Sequence, residues 1–234
     1  MNNYFKLNKR HEVTVFESLL SNYDHETTGF AIKHISLIDA FDKLLHHENG
    51  EKIFTALYDI QINNVLLYCD IYPIVNLWNK LSRENRNKGS ILDSKDNFFD
   101  KMDIHRLSTS FIFRYRALWD KIMGLHVLIL APNDYDNFIK SKSKRSQFEK
   151  IMTKVSFPKN IIKEIKKILT DFDDKFRTAE AHGTGRFRKM SLLMEPYYEN
   201  EQVLFIDFAN AMNHMIISIG EMIKTMPNFF NEEK

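Results

Sequence analysis

From Ile104 to Ile129 an apolar residue recurs at every third or fourth position: Ile104, Leu107, Phe111, Tyr115, Leu118, Ile122, Leu125 and Ile129. Side chains three and four apart share one face of an α-helix, whereas a strand turns successive side chains to opposite faces. The run predicts one helix from about Asn97 to Ala131, roughly 50 Å long at ~1.5 Å per residue and ended by Pro132. Only 7 glycines and 5 prolines occur in 234 residues, so few points exist at which long helices are forced to stop.

The same period, less extended, marks other segments. Val13, Phe16, Leu19 and Leu20 predict a short amphipathic helix over Glu12 to Leu20, and Ile32, Ile35, Ile38 and Leu45 another over Thr28 to Leu45. A longer helix is expected from Glu51 to about Ser82, carrying Tyr58, Val65, Tyr68, Tyr72 and Trp78 and kinked at Pro73, whose ring meets the carbonyl of Cys69. The polar stretch Arg83 to Asn97 then reads as a surface loop, and Asn133 to Ser146 as a second one. After a short piece around Phe148 to Met152, Pro158 opens a helix whose apolar side is Ile161, Ile165, Ile168, Leu169, Phe172, Phe176 and Ala179, stopped by Gly183. Arg186 to Phe205 is expected to be an extended hairpin or irregular cover, and a last helix runs from about Asp207 to Thr225.

The fold class that follows is all-α. It is a helical bundle of about four long helices, with short N-terminal helices and a small extended segment near 186–206. Residues 1–96 would pack on a core formed by 97–226, as one continuous domain. With 44% hydrophobic residues, among them 19 Phe, 10 Met and 9 Tyr, the chain has ample material for that core, and 27% charge keeps its exterior wet.

Several function classes are excluded on composition. Cys69 is the single cysteine, so neither an intramolecular disulfide nor a CxxC zinc site can form, and a reducing, cytoplasmic setting fits best. MNNYFKLNKR at the start has no apolar core of a signal peptide, and the apolar stretch near Val127 to Ala131 is far short of the ~20 residues that span a membrane. None of the 9 histidines stands in HExxH or four residues from another His or Cys, and no haem, flavin or nucleotide fingerprint appears, so no metal and no cofactor is expected. A formal net charge of +2 means that any affinity for nucleic acid must come from local patches.

One segment stands apart from core building: Phe176 to Lys189, FRTAEAHGTGRFRK. Arg177 and His182 lie five residues apart, which on an ideal helix separates them by about 140° and ~7.5 Å of rise. They therefore flank the apolar stripe on opposite sides, free to face solvent, a ligand or a second subunit. Ordinary roles exist for each. Arg177 can pair with Asp173 or Glu180 along the helix, and His182 can be a cationic cap at the helix C-terminus. Gly183-Thr184-Gly185 fits a helix stop better than a phosphate cradle, because GxxxxGK is absent. Lys140, Lys142, Lys144 and Arg145 read as a solvated basic loop, and Arg116 with Asp120 as an i,i+4 pair, although Asp120 could instead orient the histidine.

Arg177-Thr178-Ala179-Glu180-Ala181-His182 resembles the signature of the HEPN superfamily, the higher eukaryote and prokaryote nucleotide-binding domain: Arg, four to six residues, then His. Its setting late in an amphipathic helix, with one further long helix after it, is similar to that family, as is RYRALWDKI at Arg114 to Ile122 in the preceding helix. The likeness covers residues 97–226. Thr178 stands where many active members place Asn, Asp or another polar group, and Thr184 where members silenced by a nucleotidyltransferase carry Tyr. What the resemblance implies is metal-independent RNA cleavage at a homodimer cleft, in host defence or stress response as in many relatives. Arg177 would hold the scissile phosphate and His182 would act as general base or acid. Arg186, Arg188 and Lys189 would track the RNA backbone, with Asp120, Glu180 and Thr178 as supporting residues and a regulatory protein partner as a further implication. The alternative is a catalytically silent HEPN-like bundle that binds RNA, a nucleotide or a protein partner, and a third reading is a purely structural adaptor.

Overall fold

The computed structural model describes residues 44, 47–87, 95–183, 185, 205–212, 215, 216 and 219. Two long helices form its frame, α1 (Gly50–Asn87) and α2 (Lys95–Leu130). Polar contacts between them run in opposite chain order. The Lys121 Nζ meets the Asp59 carboxylate, Ser110 and Arg114 meet Asp70 at 3.1 and 3.2 Å, and Lys80 meets Asp100 at 2.6 Å. The two rods are therefore antiparallel along most of their length. Alongside these polar ties, α1 buries Ile53, Leu57, Ile60, Tyr68, Ile71 and Ile74 against the core.

Pro132 stops α2 and opens a 3-10 turn (Pro132–Asp134), followed by α3 (Tyr135–Lys140), α4 (Lys144–Lys154) and α5 (Lys159–Phe172). α5 continues without a break through a π-helical turn (Asp173–Arg177) into the single turn α6 (Thr178–Ala181). Residues 205–212 are again helical. Among the described residues there is no strand, so the fold is an all-α bundle. No helix among them is long and apolar enough to cross a membrane.

The expected stripe on α2 is present: Ile104, Phe111, Tyr115, Leu118, Ile122 and Leu125 are buried, with Leu107 and Ile129 packed at the margin. Enclosure goes further than one face. From Ile122 to Leu128 every residue is buried, so for two turns the helix is wrapped on all sides. Gly124 contributes to this, because a Cβ there would lie 3.2 Å from the Phe138 ring, and its absence lets α3 close onto α2. A second centre is aromatic. Phe111 stacks on Phe205 at 4.3 Å, Tyr115 meets Phe172 at 4.3 Å, and Phe172 and Phe176 meet Phe208 and Phe205 at 5.0 and 4.9 Å. This knot binds α2, the end of α5 and the 205–212 helix together, each ring pair adding about 0.5–1.5 kcal/mol beyond area burial.

Three boundaries differ from those read in the sequence. α1 runs to Asn87 rather than Ser82 and α2 starts at Lys95, so residues 83–87 and 95–97 of the polar stretch are helical, the charged residues among them being good helix formers, and 88–94 lie outside the described residues. The expected 133–146 loop contains the 3-10 turn, α3 and the start of α4; Phe138, fully buried, and Tyr135, packed at the margin of the core, dock the six-residue helix. Phe205 and Ile206, placed in the extended segment near 186–206, are helical. The remainder of that segment and the helices expected over 12–20 and 28–45 lie outside the described residues, apart from Leu44, which is buried in the core. α4 ends in a Schellman motif, with Phe157 N–H on the Met152 carbonyl at 3.0 Å and Ser156 at φ 56°, a left-handed position that glycine usually occupies.

His126 sits in the fully enclosed part of α2. Its Nδ1–H donates to the Ile122 carbonyl at 2.8 Å, which leaves Nε2 as the lone-pair nitrogen, buried and without a hydrogen-bond partner, on a ring set edge-to-face against Phe148 and Phe157. A proton on Nε2 would be a charge in hydrocarbon, so burial pushes the imidazole from 6.5 down to about 4. Between those values the unfolded chain binds a proton that the folded chain refuses, so stability falls as pH drops from 6.5 to 4, by on the order of 3 kcal/mol in all. Asp70 works in the opposite sense, because burial outweighs Arg114 and Ser110 and raises its carboxyl, so the fold holds that proton at a higher pH than the open chain does. Comparing wild type with His126→Leu at matched pH cancels the Asp70 contribution. Urea midpoints of the wild type should drop between pH 7.5 and 4.5 by clearly more than those of the leucine variant.

The aromatic knot gives a second expectation. Phe172→Ala should lower unfolding free energy by about 3–5 kcal/mol in urea melts, whereas Phe99→Ala, at a position 66% exposed, should change it by less than about 0.5 kcal/mol.

Candidate functional site

Arg177 and His182 are carried on one continuous rod that starts at Lys159. Its buried side runs Ile161, Ile162, Ile165, Leu169, Phe172 and Phe176, at helical steps that keep the rod pressed on α2 and the 205–212 helix. At Asp173 the backbone widens: the Thr178 N–H bonds the Asp173 carbonyl, five residues back, in the π pattern. One extra residue is thus accommodated in the turn that carries Asp173 and Arg177, while Phe172 and Phe176 both stay on the core side.

Arg177 closes this turn with its side chain 46% exposed. Its Nη1 lies 3.7 Å from Asp173 Oδ2, which is the i,i+4 pairing anticipated among its ordinary roles. The other Asp173 oxygen, Oδ1, is 3.5 Å from Arg116 Nε on α2, and Arg116 Nη1 donates to Asp120 at 2.6 Å. Four charges of alternating sign, Asp120, Arg116, Asp173 and Arg177, therefore lie in series across two helices. The middle pair is well shielded, with side chains 13% and 15% exposed, and its facing atoms Arg116 Nε and Asp173 Oδ1 are shut off from solvent without closing a hydrogen bond, so the attraction between them is ionic. Pairs of this kind lie between the weak exposed ion pair and the strongly coupled buried one.

His182 is the C-terminal cap of α6, exposed, with its backbone N–H bonded to the Thr178 carbonyl at 3.1 Å. Gly183 follows at φ 74°, with its N–H on the Glu180 carbonyl, so the glycine stop lies where the sequence placed it. Thr178 is exposed and Glu180 half-buried. The Glu180 carboxylate lies against Gly185, where a Cβ would overlap it, so this glycine lets the chain pass beside the acid. Asp120 pairs with Arg116, not with an imidazole. Arg186, Arg188 and Lys189 lie outside the described residues.

The basic stretch after α3 is used structurally. Lys144 donates to the Phe138 carbonyl at 2.8 Å and also to that of Ile139, closing the end of α3, and Arg145 donates to Thr170 on α5 at 3.2 Å. Cys69 is half-buried and its thiol is pushed up by burial ahead of the neighbouring Asp70 charge. Among the described residues no group of three or more His, Cys, Asp or Glu is placed to hold a metal ion.

Two members of the charge series, Arg116 and Asp173, were seen in the sequence only as local helix pairs. Their neighbours held the missing signal: Arg116 follows buried Tyr115 and Asp173 follows buried Phe172, and those rings are in contact. Charged residues next to two touching core residues on different helices are well placed to meet. Comparison with protein-family models, curated proteins and solved structures finds no match to this chain.

Gly183→Ala should destabilise the protein by roughly 1–2 kcal/mol in urea unfolding, since a Cβ is disfavoured at positive φ. Gly183→Asn, which tolerates that conformation better, should recover part of the loss.

Proposed function

We propose that this chain is a HEPN-like, metal-independent endoribonuclease in which Arg177 and His182 act on one phosphodiester. The observation that carries the reading is the placement of both side chains outside the core at the end of one helical rod, although that rod is pinned to the bundle by Phe172 and Phe176 immediately beforehand. A π turn at the motif adds to it, because such turns recur at functional sites.

In this mechanism the Arg177 guanidinium grips two non-bridging phosphate oxygens and stabilises charge that grows on them. One histidine takes the proton of the ribose 2′-hydroxyl, the 2′-oxygen attacks phosphorus, and the bond from phosphorus to the 5′-oxygen breaks. That oxygen collects a proton from a second imidazole, leaving a 2′,3′-cyclic phosphate and a 5′-hydroxyl. Each proton transfer is worth ~10²–10⁴-fold. Two copies of the chain, each giving one Arg177 and one His182 to a shared cleft, would supply the acid and the base together. The RNA backbone would continue along Arg186, Arg188 and Lys189, and a single half-buried cysteine suits a cytoplasmic setting.

The pairing of Arg177 with Asp173 favours a second reading, a catalytically silent HEPN-like bundle that binds RNA, a nucleotide or a protein partner. Purified protein incubated with RNA in EDTA separates the two. Cleavage that leaves cyclic phosphate ends and falls at least ~10²-fold in both Arg177→Ala and His182→Ala, with circular dichroism unchanged, is the expected result. Salt-sensitive RNA binding without cleavage selects the silent bundle, and cleavage that survives both substitutions sinks the proposed site.

A further inference from the structure

The charge series leading to Arg177 has a shape that an incidental surface pair lacks. Its middle is shielded and its ends are open: Arg116 and Asp173 are 13% and 15% exposed, Asp120 and Arg177 36% and 46%. Asp173 divides its two oxygens between two arginines: Oδ1 faces Arg116 at 3.5 Å and Oδ2 faces Arg177 at 3.7 Å. Arg116 is fixed in turn from its far side by Asp120 at 2.6 Å, and its backbone belongs to α2, next to buried Tyr115. The π turn carries both Asp173 and Arg177 and leaves Phe176 in the core.

We infer that Asp173, held by Arg116, is a positioning residue for Arg177: α2 fixes the carboxylate, and the carboxylate orients the guanidinium so that its remaining donors face an incoming RNA phosphate. This rests on the proposal that Arg177 is the phosphate ligand. Orientation is the gain. A free arginine side chain samples many rotamers, and binding phosphate through two parallel N–H bonds requires the planar group to be held in one of them. At 3.7 Å the Asp173 carboxylate attracts Nη1 as an ion pair without closing a hydrogen bond, which leaves the five N–H donors of the guanidinium open to the phosphate. Arg116 matters because an unpartnered Asp173 would draw the whole guanidinium inward. Shared with a second cation, its pull on Arg177 is moderated.

Two measurements on the full chain test this, one of them independent of catalysis. In 15N-labelled protein the side-chain Nε–Hε signal of Arg177, assigned by its loss in Arg177→Lys, should stand apart from the bulk arginine signals. It should merge with them in Asp173→Asn and in Arg116→Gln, while Arg116→Lys, which keeps a cation beside Oδ1, should preserve part of the separation. An Arg177 signal already averaged in the wild type, or one indifferent to Arg116→Gln, overturns the inference. Should Arg116→Gln fail to fold, Asp120→Asn is read instead, and a signal unmoved in both it and Asp173→Asn counts as the same negative.

In the cleavage assay, Asp173→Asn should lower kcat on the order of 10²-fold with KM little changed, as expected when a reacting group is misplaced rather than removed. Faster cleavage or tighter RNA binding without Asp173 overturns the inference, because the carboxylate would then be a competitor for the guanidinium. A wild type that never cleaves RNA refutes the nuclease proposal. The arginine signal then still decides whether Arg116 and Asp173 orient Arg177.

Discussion

Everything in this bundle is referred to the second half of α2. Between Ile122 and Leu128 no side chain reaches water, so the helix there is a shaft gripped from all directions. α1 lies along one flank, tied at intervals by Asp59, Asp70 and Lys80. α3 closes in where Gly124 has no side chain to prevent it, and α4 and the turn after it deliver Phe148 and Phe157 to His126. Such enclosure is costly to disturb, because interiors packed at crystal-like density cannot absorb a misplaced group by small adjustments. It also explains a histidine kept neutral: the dry surroundings that grip the shaft are the same ones that reject a charge.

From that shaft the geometry passes outward in two stages. The first is aromatic, where Tyr115 on α2 receives Phe172 and, with Phe111, anchors Phe176, Phe205 and Phe208 into one cluster. The second is ionic and lies one residue further along each helix, where Arg116 and Asp173 meet and lead to Arg177. Hydrophobic packing sets the distance between the helices, and the charges then select orientation, the part that undirected packing cannot supply. The exposed arginine is therefore linked to α2 through two successive ion pairs.

How much of this could be read from the residues depends on the range of the interaction. α2 was legible almost to the residue, because a sustained three-four period and a following proline are local signals, and Gly183 announced the end of α6 equally well. The polar 83–97 stretch has no apolar period, yet a helix does not require one where it leaves the core. The helix ends at Asn87 and Lys95 show that a polar helix end needs none. α3 is hidden for a related reason, since six residues make less than two turns and its two core contacts, Tyr135 and Phe138, are too few to establish a period. At the site, the identities of Arg177 and His182 and the pairing of Arg177 with Asp173 were readable, but the link from Arg116 to Asp173 spans two helices and depends on how they lie side by side. No local rule contains that information. The π turn is hidden for a different reason: its buried residue Phe176 and Phe172 just before it are four apart, as they would be in an ordinary helix.

That widened turn separates two demands that a uniform helix would bind together. In a regular rod, the direction faced by Arg177 and all that follows is dictated by the same phase that buries Ile165 and Leu169, and no outer residue can be re-aimed without moving the inner ones. A single added residue breaks that dependence, since it advances the later part by about 100° relative to the earlier. The protein can thus vary the anchoring half and the outward half as separate inheritances, with five residues acting as the coupling at which their rotations are reset.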